Sequence, residues 1–183
     1  MEYCIESVGM NKGVTVWFTG LPCSGKTTIA DKLALIIKEK GKNVERLDGD
    51  IVRKGLTRDL GFSKEDRDMN IERVTFVAKL LTRNNVVVLA TFVSPYIARR
   101  QKTREEIGEY IEVYVKASLE ECIKRDVKGM YKKALAGEIK NFTGIDDPYE
   151  APPSPEIIVD TDVESVDESV EKVLKYLEKN GFL

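Results

Sequence analysis

The stretch Val14-Thr15-Val16-Trp17-Phe18-Thr19-Gly20-Leu21-Pro22-Cys23-Ser24-Gly25-Lys26-Thr27 decides the fold. Val14 to Thr19 is a short, largely apolar run, the pattern of a strand covered on both faces. Gly20 to Thr27 fits G-x-x-x-x-G-K-[ST]. Lys26 to Lys40 then places Ile29, Leu33, Ile36 and Ile37 on one helical face, and Gly41 is suited to end that helix. Strand, glycine-rich turn and helix form the setting that a phosphate loop requires, whereas a chance Gly-Lys turn has no need of it. Glycines let successive backbone N–H groups converge on a phosphate, and the helix start adds free donors and the positive end of a dipole. Lys26 would bring a mobile cation to the outer phosphates, and Thr27 a hydroxyl to Mg²⁺. The stretch predicts binding of a nucleoside triphosphate.

Outward from it, short apolar runs alternate with longer amphipathic ones. Asn43 to Leu47, Val86 to Phe92, Tyr110 to Val115 and Glu156 to Val159 read as four further strands. Glu65 to Asn84 reads as a long helix with Ile71, Val74, Ala78 and Leu81 on one face and Ser63 as its N-cap. The last helix, Val166 to Asn180, carries Val166, Val170, Val173, Leu174 and Leu177 on one face. Five strands separated by helices predict an α/β fold of three layers, with a doubly wound, parallel five-stranded sheet like that of P-loop NTPases. With no repeat or composition break, residues 1–183 read as a single domain.

Composition narrows the chemistry. The chain has 183 residues, 42% hydrophobic and 33% charged, enough to bury a core without a disulfide or metal staple. Lys plus Arg is 29 against 31 Asp plus Glu, a net charge of −2 that gives no pull toward nucleic acid or an anionic membrane. There is no histidine, which excludes a Ser-His-Asp triad, a Cys-His dyad and an HExxH zinc site. A general base must then be Asp, Glu, Lys or water. Three cysteines, Cys4, Cys23 and Cys122, have no paired spacing, and their odd number fits a reducing cytosol. Met1 to Gly13 lacks a signal-peptide core, and no apolar run approaches the ~18 residues of a membrane span. A cytoplasmic location is expected.

Acidic residues come after the second strand, in Leu47-Asp48-Gly49-Asp50. Ligands of open α/β sheets sit at the carboxyl ends of strands, so both acids would face the phosphate loop. A pair there can hold hydrated Mg²⁺ and orient or deprotonate a hydroxyl; alternatively, Asp50 caps a short helix and Asp48 shapes a turn. A regulatory GTPase would carry N-K-x-D, but Asn11-Lys12-Gly13-Val14 lacks the Asp. Val86 to Phe92 has no Asp at its end, so the common ATPase placement of the metal-supporting acid is missing. Arg53, Arg58, Arg67, Lys128, Lys132 and Lys133 fall near loops of the same face and suit an anionic acceptor. Arg73, Arg99 and Arg100 read instead as a solvated helix face. Phe62 and Phe142 lie outside any periodic core and suit either stacking on a base or plain packing.

Leu47-Asp48-Gly49-Asp50, Arg58-Asp59-Leu60-Gly61-Phe62-Ser63, Ser94-Pro95-Tyr96, Lys128-Gly129-Met130-Tyr131-Lys132-Lys133 and Phe142-Thr143-Gly144-Ile145-Asp146-Asp147-Pro148-Tyr149-Glu150 resemble, in order and spacing, the adenylyl-sulfate kinase family. The similarity spans roughly residues 12 to 180. It implies transfer of the γ-phosphoryl of ATP to the ribose 3′-hydroxyl of adenylyl sulfate. By the family pattern, ATP would be held by Gly20, Leu21, Pro22, Cys23, Ser24, Gly25, Lys26, Thr27 and Thr28, with Arg125 on its adenine. Lys26, Asp50 and Ser94 would be catalytic, with Asp50 near the acceptor hydroxyl; Thr27 and Asp48 would serve Mg²⁺. Arg53, Arg67, Asn70 and Lys128 would hold the acceptor's phosphosulfate and ribose, and Phe62 and Phe142 would sandwich its adenine. Backbone around Val93, Ser94 and Asn141 would complete the pocket, residues of about 128 to 150 would form a lid, and the family is typically homodimeric.

Some family members carry a phosphorylated serine at the place of Ser94. Direct in-line transfer requires no such intermediate, so Ser94 is kept as a site residue and not as an obligatory carrier. Ile51 and Lys54 depart from the usual Asn and His or Gln, Pro22-Cys23 is an unusual loop filling, and Ile97-Ala98 replaces a more polar pair. Two rival readings are another P-loop kinase of a small anionic acceptor and a non-catalytic nucleotide-binding regulator. The acid pair speaks against the second, since a silent binder needs no base beside an acceptor.

Overall fold

Strands β1 (Val14–Thr19), β2 (Val44–Asp48), β3 (Val87–Thr91), β4 (Tyr110–Lys116) and β5 (Ile157–Asp160) form one sheet in the order β2-β3-β1-β4-β5. Every pairing is parallel, as the alternation of strands with helices predicts. The computed structural model describes residues 12–183; Cys4 and Asn11 lie outside the described residues. Among the described residues, seven helices accompany the strands: α1 (Lys26–Glu39), α2 (Gly49–Val52), α3 (Lys64–Thr82), α4 (Ile97–Ile107), α5 (Leu119–Arg125), α6 (Met130–Leu135) and α7 (Val166–Lys179).

β1 is central and buried along its whole length, so its alternate residues feed two cores. Val14, Val16 and Phe18 pack with Ile29, Leu33 and Ile37 of α1 and Val170, Val173 and Leu177 of α7. Trp17 lies in the opposite cluster, with Ala90, Phe92, Tyr110 and Ile71 and Val74 of α3. Helices on both faces give the three layers expected. Ile36 and Leu81 are only half-buried and Val166 is exposed, so the apolar stripes are narrower than their spacing suggested. Thr75, Thr82 and Ser169 take the intervening buried positions. The Thr82 hydroxyl meets that of Thr15 at 2.7 Å, and that of Thr75 meets Thr103 at 3.0 Å, which keeps both buried pairs satisfied. Ser63 caps α3 as expected, its hydroxyl accepting from the Asp66 N–H at 3.1 Å.

The functional consequence is one of register. Pairing of β2 with β3 sets Asp48 opposite Thr91, and pairing of β3 with β1 sets Thr91 opposite Phe18, the penultimate residue of β1. The strand ends carrying the acids and the phosphate loop therefore finish level, at one edge of the sheet.

Candidate active site

Gly20 leaves β1 at φ 152°, and a Cβ there would stand 2.4 Å from the Val115 carbonyl oxygen, so no larger residue fits this turn. Cys23 follows at φ 60° and Gly25 at φ 102°, and α1 begins at Lys26. The Lys26 ammonium folds back into the cradle, donating to the carbonyls of Gly20 at 2.9 Å and Leu21 at 2.7 Å and to Ser24 Oγ at 3.4 Å. Burial pulls its pKa from the ordinary 10.5 down to about 8, against smaller upward contributions from the two nearby thiols and from Asp48 and Asp50. Ser24 is buried, Leu21, Pro22 and Cys23 are half-buried, and Thr27 and Thr28 are exposed at the start of α1.

Asp48 ends β2 beneath this cradle. Its Oδ2 accepts from Thr27 Oγ1 at 2.9 Å and Thr91 Oγ1 at 2.8 Å, and its Oδ1 accepts from the Asp50 N–H at 3.0 Å. Burial alone would raise this carboxyl. The hydrogen bonds from Thr91, Thr27 and the Asp50 backbone, with the Arg46 charge 3.8 Å away, outweigh it and hold the pKa below the ordinary carboxylate value. The cap of α2 is thus Asp48, and Asp50 lies inside the first turn, the reverse of the capping alternative. Asp50 is exposed and ion-paired with Lys128, itself exposed. Such a pair is weakly held and readily exchanged for a ligand.

The residues expected on the acceptor side lie around α3. Arg53 stacks on Phe62, its guanidinium carbon 4.3 Å from the ring centroid, and donates to the Gly61 carbonyl at 2.9 Å. Burial and then the Arg67 charge lower the Arg53 pKa. Arg67 bridges α3 and the segment after α6: it donates to Asp147 Oδ2 at 2.6 Å, to Thr143 Oγ1 at 2.9 Å and to the Asn141 carbonyl. Asn70 is buried and accepts from Thr57 Oγ1 at 2.7 Å. Asn141 turns at φ 57°, with its N–H and that of Phe142 bound to Asp146. Phe142 meets Tyr131 edge-on at 4.9 Å, whereas Phe62 is 62% exposed with Arg53 over its ring. The Val93 carbonyl accepts from Thr19 Oγ1 at 2.7 Å, and Ser94 is buried at φ 44°. Arg125, at the end of α5, donates to Thr161 Oγ1 at 3.0 Å and to the Thr161 carbonyl at 2.7 Å. Of the departures from the family pattern, Ile51, Lys54 and Ile97 are all exposed.

Several contributors were not foreseen. Thr91 and Arg46 support Asp48, and only strand register reveals them. Tyr131 ties α6 to the cradle through its hydroxyl, which donates to the Pro22 carbonyl at 3.1 Å, and Gly144 packs beside Leu21. A cavity of about 510 Å³ opens here, lined by Leu21, Leu119 and residues 144–149 and by neither acid after β2. The solvated-face reading holds for Arg73, which pairs with exposed Asp59 at 2.7 Å. It fails for Arg100, which is 3% exposed and paired with Glu112 of β4 at 2.8 Å, and for Arg99, whose side chain is 9% exposed. Both point inward because α4 packs against α3 and Arg100 reaches Glu112 of β4, contacts that the mixed charges of α4 do not announce.

A glycine-bent cradle at the end of a central parallel strand, with Asp48 of the next strand but one bonded to its Thr27 and Asp50 two residues on, is the arrangement of a P-loop kinase. The family model for adenylylsulphate kinase matches residues 12–160, and the chain belongs to that family. An adenylyl-sulfate kinase of Halothermothrix orenii is 62% identical over 94% of this chain and 93% of the relative. One from Picosynechococcus is 57% identical over 94% and 98%. A solved structure of the Mycobacterium tuberculosis APS kinase in complex with AMPPNP and APS superposes with a TM-score of 0.87 at 43% identity, covering 91% of this chain and 98% of that one. A gluconokinase from Sinorhizobium meliloti, 16% identical with a TM-score of 0.59 over 92% of this chain and 93% of its own, shares the fold alone.

Proposed function

We propose that this chain transfers the γ-phosphoryl of ATP to the ribose 3′-hydroxyl of adenylyl sulfate, releasing ADP and 3′-phosphoadenylyl sulfate. The observation that carries the reading is the contact between cradle and acids: Thr27 bonded to Asp48, and Asp48 bonded to Asp50. Donor phosphates on the loop and an acceptor hydroxyl at Asp50 would then face each other. Lys26 leaves its own loop carbonyls for the β- and γ-phosphates, and the backbone of Gly20 to Thr28 binds the rest. Asp50, set by its backbone bond to Asp48, orients the acceptor hydroxyl and takes its proton. Lys128 exchanges Asp50 for an acceptor anion, which frees that carboxylate. Arg53, Arg67 and Asn70 hold the acceptor, Phe62 and Phe142 take its adenine, and the backbone at Val93, Ser94 and Asn141 closes the pocket. Arg125 faces the ATP base. Ser94 acts through its place in the loop: its hydroxyl is buried and accepts from Trp17 Nε1 at 3.1 Å.

The donor set fits Mg²⁺. It offers one hydroxyl, of Thr27, and one carboxylate, of Asp48, hard oxygen groups of the kind that suit a cation otherwise carried by phosphates and water. Thr27 would ligate it, with Asp48 orienting Thr27. Bound there, it would supply charge neutralisation for the transferring phosphoryl group.

The whole chain is read as one kinase domain whose segment 128–150 serves as lid, tied to the cradle by Tyr131 and to α3 by Arg67. A homodimer is supported by an exposed apolar groove on the outer side of α3, formed by Leu56, Met69 and Phe76. Sedimentation of the purified chain decides between one copy and two. No helix among the described residues is long and apolar enough to cross a membrane. With Cys23 and Cys122 both free, a reducing cytoplasm is the compartment inferred. The decisive experiment is incubation with ATP, Mg²⁺ and adenylyl sulfate followed by identification of the nucleotide products. ADP release that does not depend on adenylyl sulfate would overturn the proposal.

A further inference from the structure

Arg100 is the most completely engaged buried cation outside the phosphate loop. It sits on α4 at 3% exposure, and its three donor edges reach three different segments. Nε donates to Glu112 Oε1 of β4 at 2.8 Å, Nη1 to the Ser94 carbonyl at 2.6 Å, and Nη2 to the Glu150 carbonyl at 2.7 Å. Glu112 supplies the compensating charge inside the protein, and Arg104 stands 3.7 Å from its other oxygen. Burial of a guanidinium is costly unless every edge is used, and here the edges join the acceptor loop to the end of the lid.

Further bonds run between the same two segments. The Glu150 N–H donates to the Pro95 carbonyl at 2.9 Å, and the Glu150 side chain accepts from the Ile97 N–H at 2.6 Å. Tyr96 Oη donates to Asp147 Oδ1 at 3.1 Å, and Asp147 in turn holds Arg67. On the other side of the loop, Ser94 Oγ accepts from Trp17 Nε1. Ser94 has no glycine's freedom, yet it stands at φ 44°, a conformation that persists only where surrounding contacts over-determine it. Arg100 and Trp17 are those contacts, one on the carbonyl and one on the hydroxyl.

We infer that Arg100 is a positioning residue for the acceptor site. It holds the Val93–Pro95 loop in its left-handed turn and clamps the C-terminal end of the lid to that loop, so that lid motion is confined to the segment before Asp147. This deepens the adenylyl-sulfate kinase reading and rests on it. Lysine would keep the charge opposite Glu112 but has no planar fork to reach two carbonyls at once.

The test is Arg100→Lys. The variant should remain folded by circular dichroism, raise KM for adenylyl sulfate at least tenfold and leave KM for ATP within twofold. Trp17 is the only tryptophan in the chain, so its emission reports the Ser94 bond directly; R100K should shift it in the same direction as Ser94→Ala. Unchanged KM values, or equal rises for both substrates, would overturn the inference. Should R100K fail to fold, amide exchange in the wild-type protein decides: the Glu150 and Ile97 amides should exchange slowly without nucleotide, and fast exchange would refute the clamp. Failure of the functional reading is separately visible, because the wild-type protein would then form no 3′-phosphoadenylyl sulfate while the emission and exchange measurements still judge the clamp.

Discussion

Lys26 should take up a proton when ATP binds. In the nucleotide-free protein its pKa is about 8 because burial disfavours the ammonium, a displacement from 10.5 worth about 3 kcal/mol. Triphosphate oxygens arriving around Nζ favour the charged form and return its pKa to the ordinary value or above. At pH 8 about half the protein lacks the proton before binding and nearly all carries it afterwards, so uptake is about 0.5 proton per ATP. At pH 7 the same arithmetic gives about 0.1, and at pH 9 about 0.9. The apparent Kd for ATP should weaken about twofold by pH 8 and about tenfold by pH 9. Titration calorimetry at pH 8 to 9 in two buffers of different ionisation enthalpy reads the proton count, since the terminal phosphate of ATP is almost wholly ionised there. Lys26→Met should abolish the uptake as well as most of the affinity. A proton count near zero at pH 8 to 9, or one that survives in K26M, would refute the claim that Lys26 is desolvated in the empty cradle. The sign for folding runs the other way. The depressed lysine destabilises the apo protein below pH 8, and stability is regained as pH rises from about 8 toward 10.5.

Asp50→Asn should lower kcat by at least a hundredfold while changing KM for adenylyl sulfate severalfold at most, because Asp50 is placed to accept the hydroxyl proton; a pure KM effect in steady-state kinetics would count against a base. Phe62→Ala should weaken adenylyl sulfate by about 1–3 kcal/mol through lost stacking, read by equilibrium binding, and leave stability nearly unchanged since the ring is 62% exposed. Thr91→Val removes one donor to a buried carboxylate and should cost about 1.5–3 kcal/mol at neutral pH in urea unfolding. Asp48 has a depressed pKa, so its stabilisation is full above the unfolded carboxylate value and is lost as pH falls through the folded one. The gap between wild type and T91V should therefore narrow in acid, and a gap constant with pH would contradict the assignment.

What the sequence determined by itself is local or periodic. The phosphate loop is legible because strand, glycines, Lys26 and the first turn of α1 are contiguous, and Gly20 is required by a turn that no other residue fits. Strand and helix positions follow from the spacing of apolar residues, and the acids after β2 from the rule that ligands sit at strand ends. The family resemblance rests on blocks of adjacent residues. Tertiary structure decided what lies between distant positions. Thr91 supports Asp48 across 43 positions, and Arg67 meets Asp147 across 80, pairings that only sheet register and chain return create. Arg99 and Arg100 read as surface charge in a polar helix with little amphipathic pattern, because a buried arginine is made tolerable by its partners and the partners lie on other elements. Spacing reports which face of an element is apolar; it carries no information about which charge will find a buried partner, and that is settled only when the layers close.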